Sequence, residues 1–492
     1  MGVISERVGF VVDTEAVETG DALGKTPPFR ILILGNFSGR DQASAAWRTS
    51  KPVKVDRDDI DRVLAKFRPK LVLETGTGEG PVSLEFKEID DFDPDKIHQR
   101  VGLFDTLKNT RERLAPSTVQ ASPAETSAAP PADGGGSLLD MILGATAASP
   151  VARARPKSPL EAFFEEVGAE HAIRGEEPAN AALRGGVDSA LGRLMASILH
   201  HPRFQALEAS WRQVDRLTKR LDTDATLTIS LFDVTKEELA VDFAESDDLR
   251  SSTLHRLLVQ PTVEMPGGQP WGVIVGDLTF GPTQEDVVLL GYLGLIAKAA
   301  GAPFVAGASP EILGCASLAE TPEPRLWKRD PSDAGQAAFD ALRTLPVAEW
   351  LGLALPRPLV RLPYGTDDRP IDAFDFDELA STASTAGHER YLWGNPAYLV
   401  AELLGRSFRE EEWDFSPGSM TEVMGLPLHV DRSGDEPELL PCAEVLLGQR
   451  GVEAILDQGL MPMLSYPGRD VVRVARFQSI AAPNAALAGR WR

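Results

Sequence analysis

The sequence predicts a mixed α/β fold: a multi-domain architecture of mixed sheets flanked by helices, with a disordered internal linker. Three observations carry this expectation. Residues 271–307 read as strand, helix, strand. A short apolar run, Ile31-Leu32-Ile33-Leu34, ends in Gly35, as a buried strand does when it enters a turn. Phe204, Leu207, Trp211, Val214 and Leu217 recur at spacings of three and four, the apolar stripe of an amphipathic helix.

A chain of 492 residues is too long for one ordinary core and predicts roughly two to four domains. We divide it into a first unit over 1–114, a linker over 115–136 and a second unit over 137–492. The linker is dominated by Ala, Pro, Ser, Thr and Gly, and such a composition cannot bury enough apolar surface to offset chain entropy. Roughly twenty flexible residues span on the order of 25 Å, so the tether suits a connection within one protomer or to a neighbour. The formal charge of −23 works against binding a phosphate backbone, which excludes nucleic acid as the expected partner. No apolar run is long enough for a transmembrane helix, and residues 1–20 lack a signal-peptide pattern. Two distant cysteines, Cys315 and Cys442, fit a reducing cytoplasm rather than a disulfide framework or zinc site.

In chain order, residues 1–27 are polar, with a short strand expected around Val8 to Val12. Gly35 and Gly39 flank the exit of the next strand. A phosphate loop needs Lys-Ser/Thr after its last glycine, and this chain has Arg40-Asp41. Val53 to Val55 alternates as a strand. Asp56 is then placed to cap a helix with apolar positions Ile60, Val63, Leu64 and Phe67. The acids Asp56, Asp58, Asp59 and Asp61 lack the glycine and terminal glutamate of a calcium loop and suit a helix N-terminus. Strands over 71–73 and 82–86 bracket a glycine-rich turn, and a helix over 94–114 closes the first unit.

The second unit opens with a short amphipathic stretch, 137–144, and helix resumes near Leu160. His200 and His201 have no third ligand at metal spacing, so they read as a helix start with Pro202 in the first turn. The stripe that follows is expected to bury against a strand–helix pair beginning near Thr226. That strand runs over 226–234, and Thr235 with Glu238 forms a capping box for the next helix. Residues 271–275 form a buried strand that exits at Gly276-Asp277. A helix over 282–300 and a strand over 302–307 complete a right-handed crossover. Asp277 stands where α/β enzymes place catalytic groups. No histidine accompanies it, and Gly307-Ala308-Ser309-Pro310-Glu311 is not a nucleophile elbow, so it reads as a capping or turn residue.

Residues 355–365 alternate proline with apolar residues and arginine, an edge or loop-crossing segment. Arg357 and Arg361 are expected to pair with Asp367 and Asp368. Tyr391 and Trp393 read as core packing ahead of a helix running to about Phe408. A strand over 444–447, a helix to 460 and a strand over 461–464 precede a polar tail.

The ordered motifs carry a resemblance. Residues 28–40 (with Gly35, Phe37, Gly39 and Arg40), 52–59, and Asp90-Asp91-Phe92 before a Leu- and Arg-rich helix resemble the small contractile-sheath subunit of type VI secretion systems. From about Ser137 to Ile480 the chain resembles the large sheath subunit. The matching pieces are the helix with Phe204, Leu207, Trp211 and Arg212; Gly267-Gly268 with Gly276 and Asp277; Pro303-Phe304; Arg361 with Pro363, Tyr364 and Gly365; Trp393-Gly394-Asn395; and residues 459–464.

The resemblance implies that these residues are structural, with no catalytic, cofactor or metal site. It implies a small and a large subunit fused head to tail, co-folding into a protomer. Protomers of that family stack into a cytoplasmic tube around an inner tube, which contraction propels. The implied partners are the protein itself or other sheath subunits, the inner tube protein, baseplate components and an AAA+ unfoldase; membrane insertion is not among them. There are two departures. The subunits are fused, and the family's large subunit continues past Gln478-Ser479 with a further α/β region, whereas this sequence reaches Arg492. The second departure motivates an alternative, a non-polymerising sheath-related adaptor, cap or regulator that binds sheath, baseplate or tube. A third reading, a hydrolase-like enzyme, centres on Asp277.

Overall fold

The computed structural model describes residues 27–75, 80–113, 176–330, 332–366, 368–379, 387–432 and 436–491. The strand expected near Val8, the turn at 76–79, the 115–136 linker and the 137–144 stretch lie outside them.

The centre is a nine-stranded sheet. Its members are β1 (Phe29–Gly35), β2 (Val53–Val55), β5 (Leu227–Asp233), β6 (Val273–Phe280), β7 (Phe304–Ala308), β8 (Leu351–Leu355), β9 (Glu422–Met424), β12 (Met461–Ser465) and β13 (Val471–Val474). They lie in the order β2-β5-β1-β6-β7-β8-β12-β13-β9. The six strands from β5 to β12 in that order run parallel, whereas β2, β13 and β9 pair antiparallel at the two ends. A hairpin of β3 (Lys70–Leu73) and β4 (Val82–Glu85), and a small ribbon of β10 (Val430–Asp431) and β11 (Glu438–Leu439), stand apart.

β1, the first described strand, is an interior strand of this sheet. Ile31 lies opposite Ile229 on one side and Val273 on the other, and Ile33 opposite Leu231 and Val275. Its side chains alternate between two cores. Phe29, Ile31 and Ile33 join one; Leu32 and Leu34 join the other. A strand buried on both faces has to be apolar throughout, which is why this run shows no polar alternation.

Helices cover both faces: α1 (Ile60–Phe67), α2 (Pro94–Arg100), α3 (Asp105–Arg113), α4 (Glu176–Leu199), α5 (Pro202–Arg220), α6 (Lys236–Glu245), α7 (Thr253–Leu258), α8 (Gln284–Ala300), α9 (Ala334–Arg343), α10 (Ala397–Glu411) and α11 (Gln449–Asp457). Thr235 and Glu238 close the expected capping box at α6, each side chain bonding the other's backbone N–H. Thr283 caps α8, with Glu285 and Asp286 in its first turn.

Several expectations are corrected. The helix over 94–114 is broken into α2 and α3, because Val101 turns extended and a short 3-10 turn buries Phe104. Asp59, not Asp56, is the N-cap of α1; the Asp56 carboxylate accepts from the backbone of Asp58 and Asp59 in the preceding turn. Residues 444–447 form no strand: pairing with the proline-interrupted 357–358 segment stops at an isolated bridge between Ala443 and Pro358 and one bond from the Glu444 N–H to the Arg357 carbonyl. The strand expected to end at 275 continues to Phe280. Its register with β7 jumps from Gly276 opposite Ala306 to Thr279 opposite Gly307, so Asp277 sits in a bulge rather than past the end.

Candidate functional site

In an open α/β sheet the crevice for a ligand lies outside the carboxyl ends of the strands, where strand order reverses. Here the reversal falls at β1, flanked by β5 and β6. The chain fills that position itself. Past Gly35 it turns tightly: the Asn36 side chain donates to the Arg40 carbonyl (2.8 Å) and accepts from the Arg40 N–H (3.1 Å). Gly39 has φ +67°, and a Cβ there would press on Leu71 and Leu207. Phe37 is fully buried, edge-on to Trp211 with centroids 5.5 Å apart, and the Trp211 indole N–H donates to the Phe37 carbonyl at 3.0 Å. Arg40 closes the turn with ion pairs to Asp233 at the end of β5 and Glu238 in α6.

The stripe of α5 is buried throughout, from Phe204 to Leu217. Its ring contacts are not with the strand–helix pair after Thr226, as expected, but with the first segment. Trp211 meets Phe37 and Phe67, and Phe204 meets Phe86 and Phe92. The reason is that β1, inserted beside β5, brings its own hairpin and helices onto that face. His201 is the N-cap of α5, its Nδ1 accepting from the Arg203 N–H at 3.2 Å. Among the described residues no group of three or more His, Cys, Asp or Glu is placed to hold a metal ion.

A second cluster joins α5, the 361–378 segment and the start of α2. Arg361, 5 % exposed, reaches both Glu208 (Nε to Oε1, 2.8 Å) and Glu378 (Nη1 to Oε2, 2.7 Å). This corrects the expected partners. Asp367 lies outside the described residues, and Asp368 pairs instead with His429 at 3.0 Å. Arg357 likewise pairs with Glu389 and Glu444. Arg212 binds Glu208 and Asp93, and the Tyr364 hydroxyl donates to Asp93 at 2.6 Å, where Arg369 also arrives. Three arginines thus meet three carboxylates. Burial alone would raise Glu378, but Arg361, His200 and the Tyr364 N–H hold its carboxyl down to about 2. Asp93 is lowered in the same way, against burial, by Tyr364, Arg212 and Arg369. Pro363 is buried in this turn, and Gly365 and Arg369 exchange backbone hydrogen bonds across it.

The third cluster holds the β6 bulge. The Asn395 side chain donates to the carbonyls of Gly276 (3.3 Å) and Leu278 (2.9 Å), on either side of Asp277 where the register shifts. Asn395 is held in turn by Gln213, through a pair of 2.8 Å bonds between its backbone and that side-chain amide. A Cβ on Gly394 would meet the same amide at 2.6 Å. Trp393 donates to the His388 carbonyl and stacks on that imidazole. A Cβ on Gly276 would strike the Phe304 ring, which packs edge-on to Phe280 next to Pro303, whose carbonyl accepts from Ile274. Asp277 lies against Gly35 of β1 and faces the hydroxyls of Ser210 and Tyr398. Burial pushes its carboxyl up to about 6, and those two hydroxyls oppose the shift.

These clusters are joints rather than a cleft: each ties the first segment, or β6, to elements more than a hundred residues away. The sequence reading missed Glu208, Asp93, Gln213 and Glu378. Glu208 left a signal, since an acid one turn after Phe204 falls on the apolar stripe of α5.

Comparison with known families places two matches along the chain. Residues 183–481 match the family described as "EvpB/VC_A0108, tail sheath N-terminal domain", and residues 5–122 match "Type VI secretion system, VipA, VC_A0107 or Hcp2". Two proteins of Pseudomonas aeruginosa PAO1 are similar. One is the type VI secretion system sheath protein TssC1, 31 % identical over 318 residues, covering 63 % of this chain and 62 % of TssC1. The other is the sheath protein TssB1, 29 % identical over 94 residues, covering 18 % of this chain and 55 % of TssB1. The chain therefore spans less than two thirds of either relative.

Proposed function

The chain belongs to the type VI secretion tail-sheath family, its two segments matching both sheath proteins in one polypeptide, and from that premise we propose that it is a structural sheath protomer. In this reading it assembles in the cytoplasm around an inner tube and contracts to propel it. The observation that supports this most is the placement of β1 between β5 and β6. The two segments build one sheet, so they act as one mechanical body. The residues singled out from sequence would then serve as joints of that body: Gly35 to Arg40 as its plug, Arg361 to Gly365 as its ion cluster, Trp393 to Asn395 as the brace of its bulge. Residues 115–136 would tether the two segments. Other sheath subunits, the tube protein, baseplate components and an AAA+ unfoldase are the partners it would meet. Among the described residues no helix is long and apolar enough to cross a membrane.

Asp277, the one strand-end acid that invited an enzymatic reading, is packed between Gly35, Ser210 and Tyr398, with no histidine among those contacts. This favours a structural role.

Electron microscopy of the purified chain, alone and with its neighbouring gene products, tests the proposal. Long tubes are expected. Monodisperse monomers at high concentration by light scattering would sink it, and a small discrete assembly would favour an adaptor or cap.

A further inference from the structure

A sheet with two ends has two edges, and an open edge invites a strand from another chain. At one end β2 carries common protections: Pro52 precedes it, and Lys54 is exposed. The other end is closed by different means. Among the described residues β9 pairs only with β13. Thr421 accepts from the Val474 N–H, so alternation turns the carbonyls of Glu422 and Met424 away from β13, toward the open side.

Both outward carbonyls are occupied by arginines from helices below. Arg406 of α10 donates to the Glu422 carbonyl at 3.1 Å. Arg216 of α5 donates to the carbonyls of Met424 and Gly425, both at 2.9 Å. Arg220, one turn on, donates to Met424 at 3.0 Å. Gly425 has φ +70°, and a Cβ there would strike the Arg220 guanidinium, so the glycine makes room for it. The three cations share one buried carboxylate, Glu402, which is 2 % exposed: Arg216 lies 3.4 Å from it, and although burial raises this carboxyl, Arg216, Arg220 and Arg406 all oppose the rise. Planar guanidinium forks suit this, since one carboxylate anchors them while their remaining N–H groups cap carbonyls.

We infer that Arg216, Arg220 and Arg406, organised on Glu402, are an edge guard that prevents β9 from pairing with β9 of a second copy of this chain. A second copy is the relevant competitor. Met424 is 55 % exposed beside the capped carbonyls, and antiparallel pairing of identical strands about a two-fold axis needs no other partner. The guard withholds the acceptors such a ladder requires while leaving the strand in place.

The test is site-specific cross-linking in the full-length protein carrying M424C, since Cys315 and Cys442 are buried. With the arginines intact, a short bis-maleimide should yield only background dimer through position 424. Adding R216A, R220A and R406A should raise that dimer several-fold, with circular dichroism confirming the fold. If the triple variant fails to fold, R406A alone with E422C puts the same question to one carbonyl, and E422C cross-linking should rise above that of the E422C protein with Arg406 intact. Equal cross-linking with and without the arginines, in whichever variant folds, overturns the proposal, as does strong cross-linking of M424C with the guard intact.

Discussion

Arg361 and Glu378 form a two-pronged pair, Nη1 to Oε2 at 2.7 Å and Nη2 to Oε1 at 2.9 Å, with both side chains shut from water. Removing one partner of such a pair strands a buried charge. Arg361→Met should therefore cost about 3–5 kcal/mol of stability, because Glu378 loses its arginine and Glu208 is left with Arg212 alone. Thermal and urea unfolding of the variant beside the parent protein would measure it. Arg361→Lys should recover only part of the loss, since an ammonium cannot serve two carboxylates in forked geometry.

The same pair sets an acid limit. Glu378 is held at about 2 in the fold, below an ordinary glutamate. A carboxyl with a lowered folded pKa contributes stability above its unfolded pKa and loses it as pH falls toward the folded one. The stability gap between the parent protein and Glu378→Gln should therefore be full at neutral pH and shrink as pH falls from about 4.5 to about 2. A gap that stays constant across that window would contradict the assignment.

Asp277 has the opposite sign. Its carboxyl is raised to about 6, so the fold favours the neutral acid. That contribution is complete below the ordinary aspartate pKa and lost as pH rises through 6. Asp277→Asn should gain on the parent protein as pH rises from 4 to 7, read as the difference between their melting temperatures. A difference independent of pH would show that the carboxyl is not held between Ser210 and Tyr398.

Trp211→Phe keeps the ring contacts with Phe37 and Phe67 but removes the indole donor from the Phe37 carbonyl. Leaving a buried acceptor unmade costs about 1–3 kcal/mol, whereas Trp211→Ala should cost about 3–5. Urea midpoints of the two variants would separate the hydrogen bond from the packing.

At the bulge, Gly276→Ala should destabilise by about 1–3 kcal/mol, because the new methyl meets the Phe304 ring. Phe304→Leu in the same chain should recover part of the loss. The two substitutions should therefore be non-additive in a double-mutant cycle. Strict additivity would mean that the ring and the methyl do not meet.

What the sequence disclosed was what local chemistry controls. The Ile31 to Leu34 run, the Thr235–Glu238 capping box, the Pro202 helix start and the Thr283 to Ala308 crossover each carry their signal within a few residues. Pairing did not show itself. Nothing in residues 29–35 announces neighbours near 229 and 273, because strand partners are chosen by the whole fold and leave no local trace. The ion pairs failed for the same reason: Arg361 was matched to the acids next to it in sequence, whereas burial selects Glu208 and Glu378. Gly276-Asp277 looked like a strand end because glycine followed by an acid is a common turn. It continues as strand through a register shift, and the side chain that bonds the carbonyls around that shift, Asn395, lies over a hundred residues on.

The interior position of β1 also governs how the molecule can come apart. When two sheath proteins are separate chains, their union depends on concentration, and dilution favours parting. Here a single backbone carries both sides of the ladder, so closing the sheet is an intramolecular event whose entropic cost grows only slowly with the length of chain between them. The proportion of the two segments is one to one by synthesis. No amount of dilution can withdraw β1 from between β5 and β6 without unfolding the sheet, and β1 cannot complete its pairing during translation until Gly276 has been made.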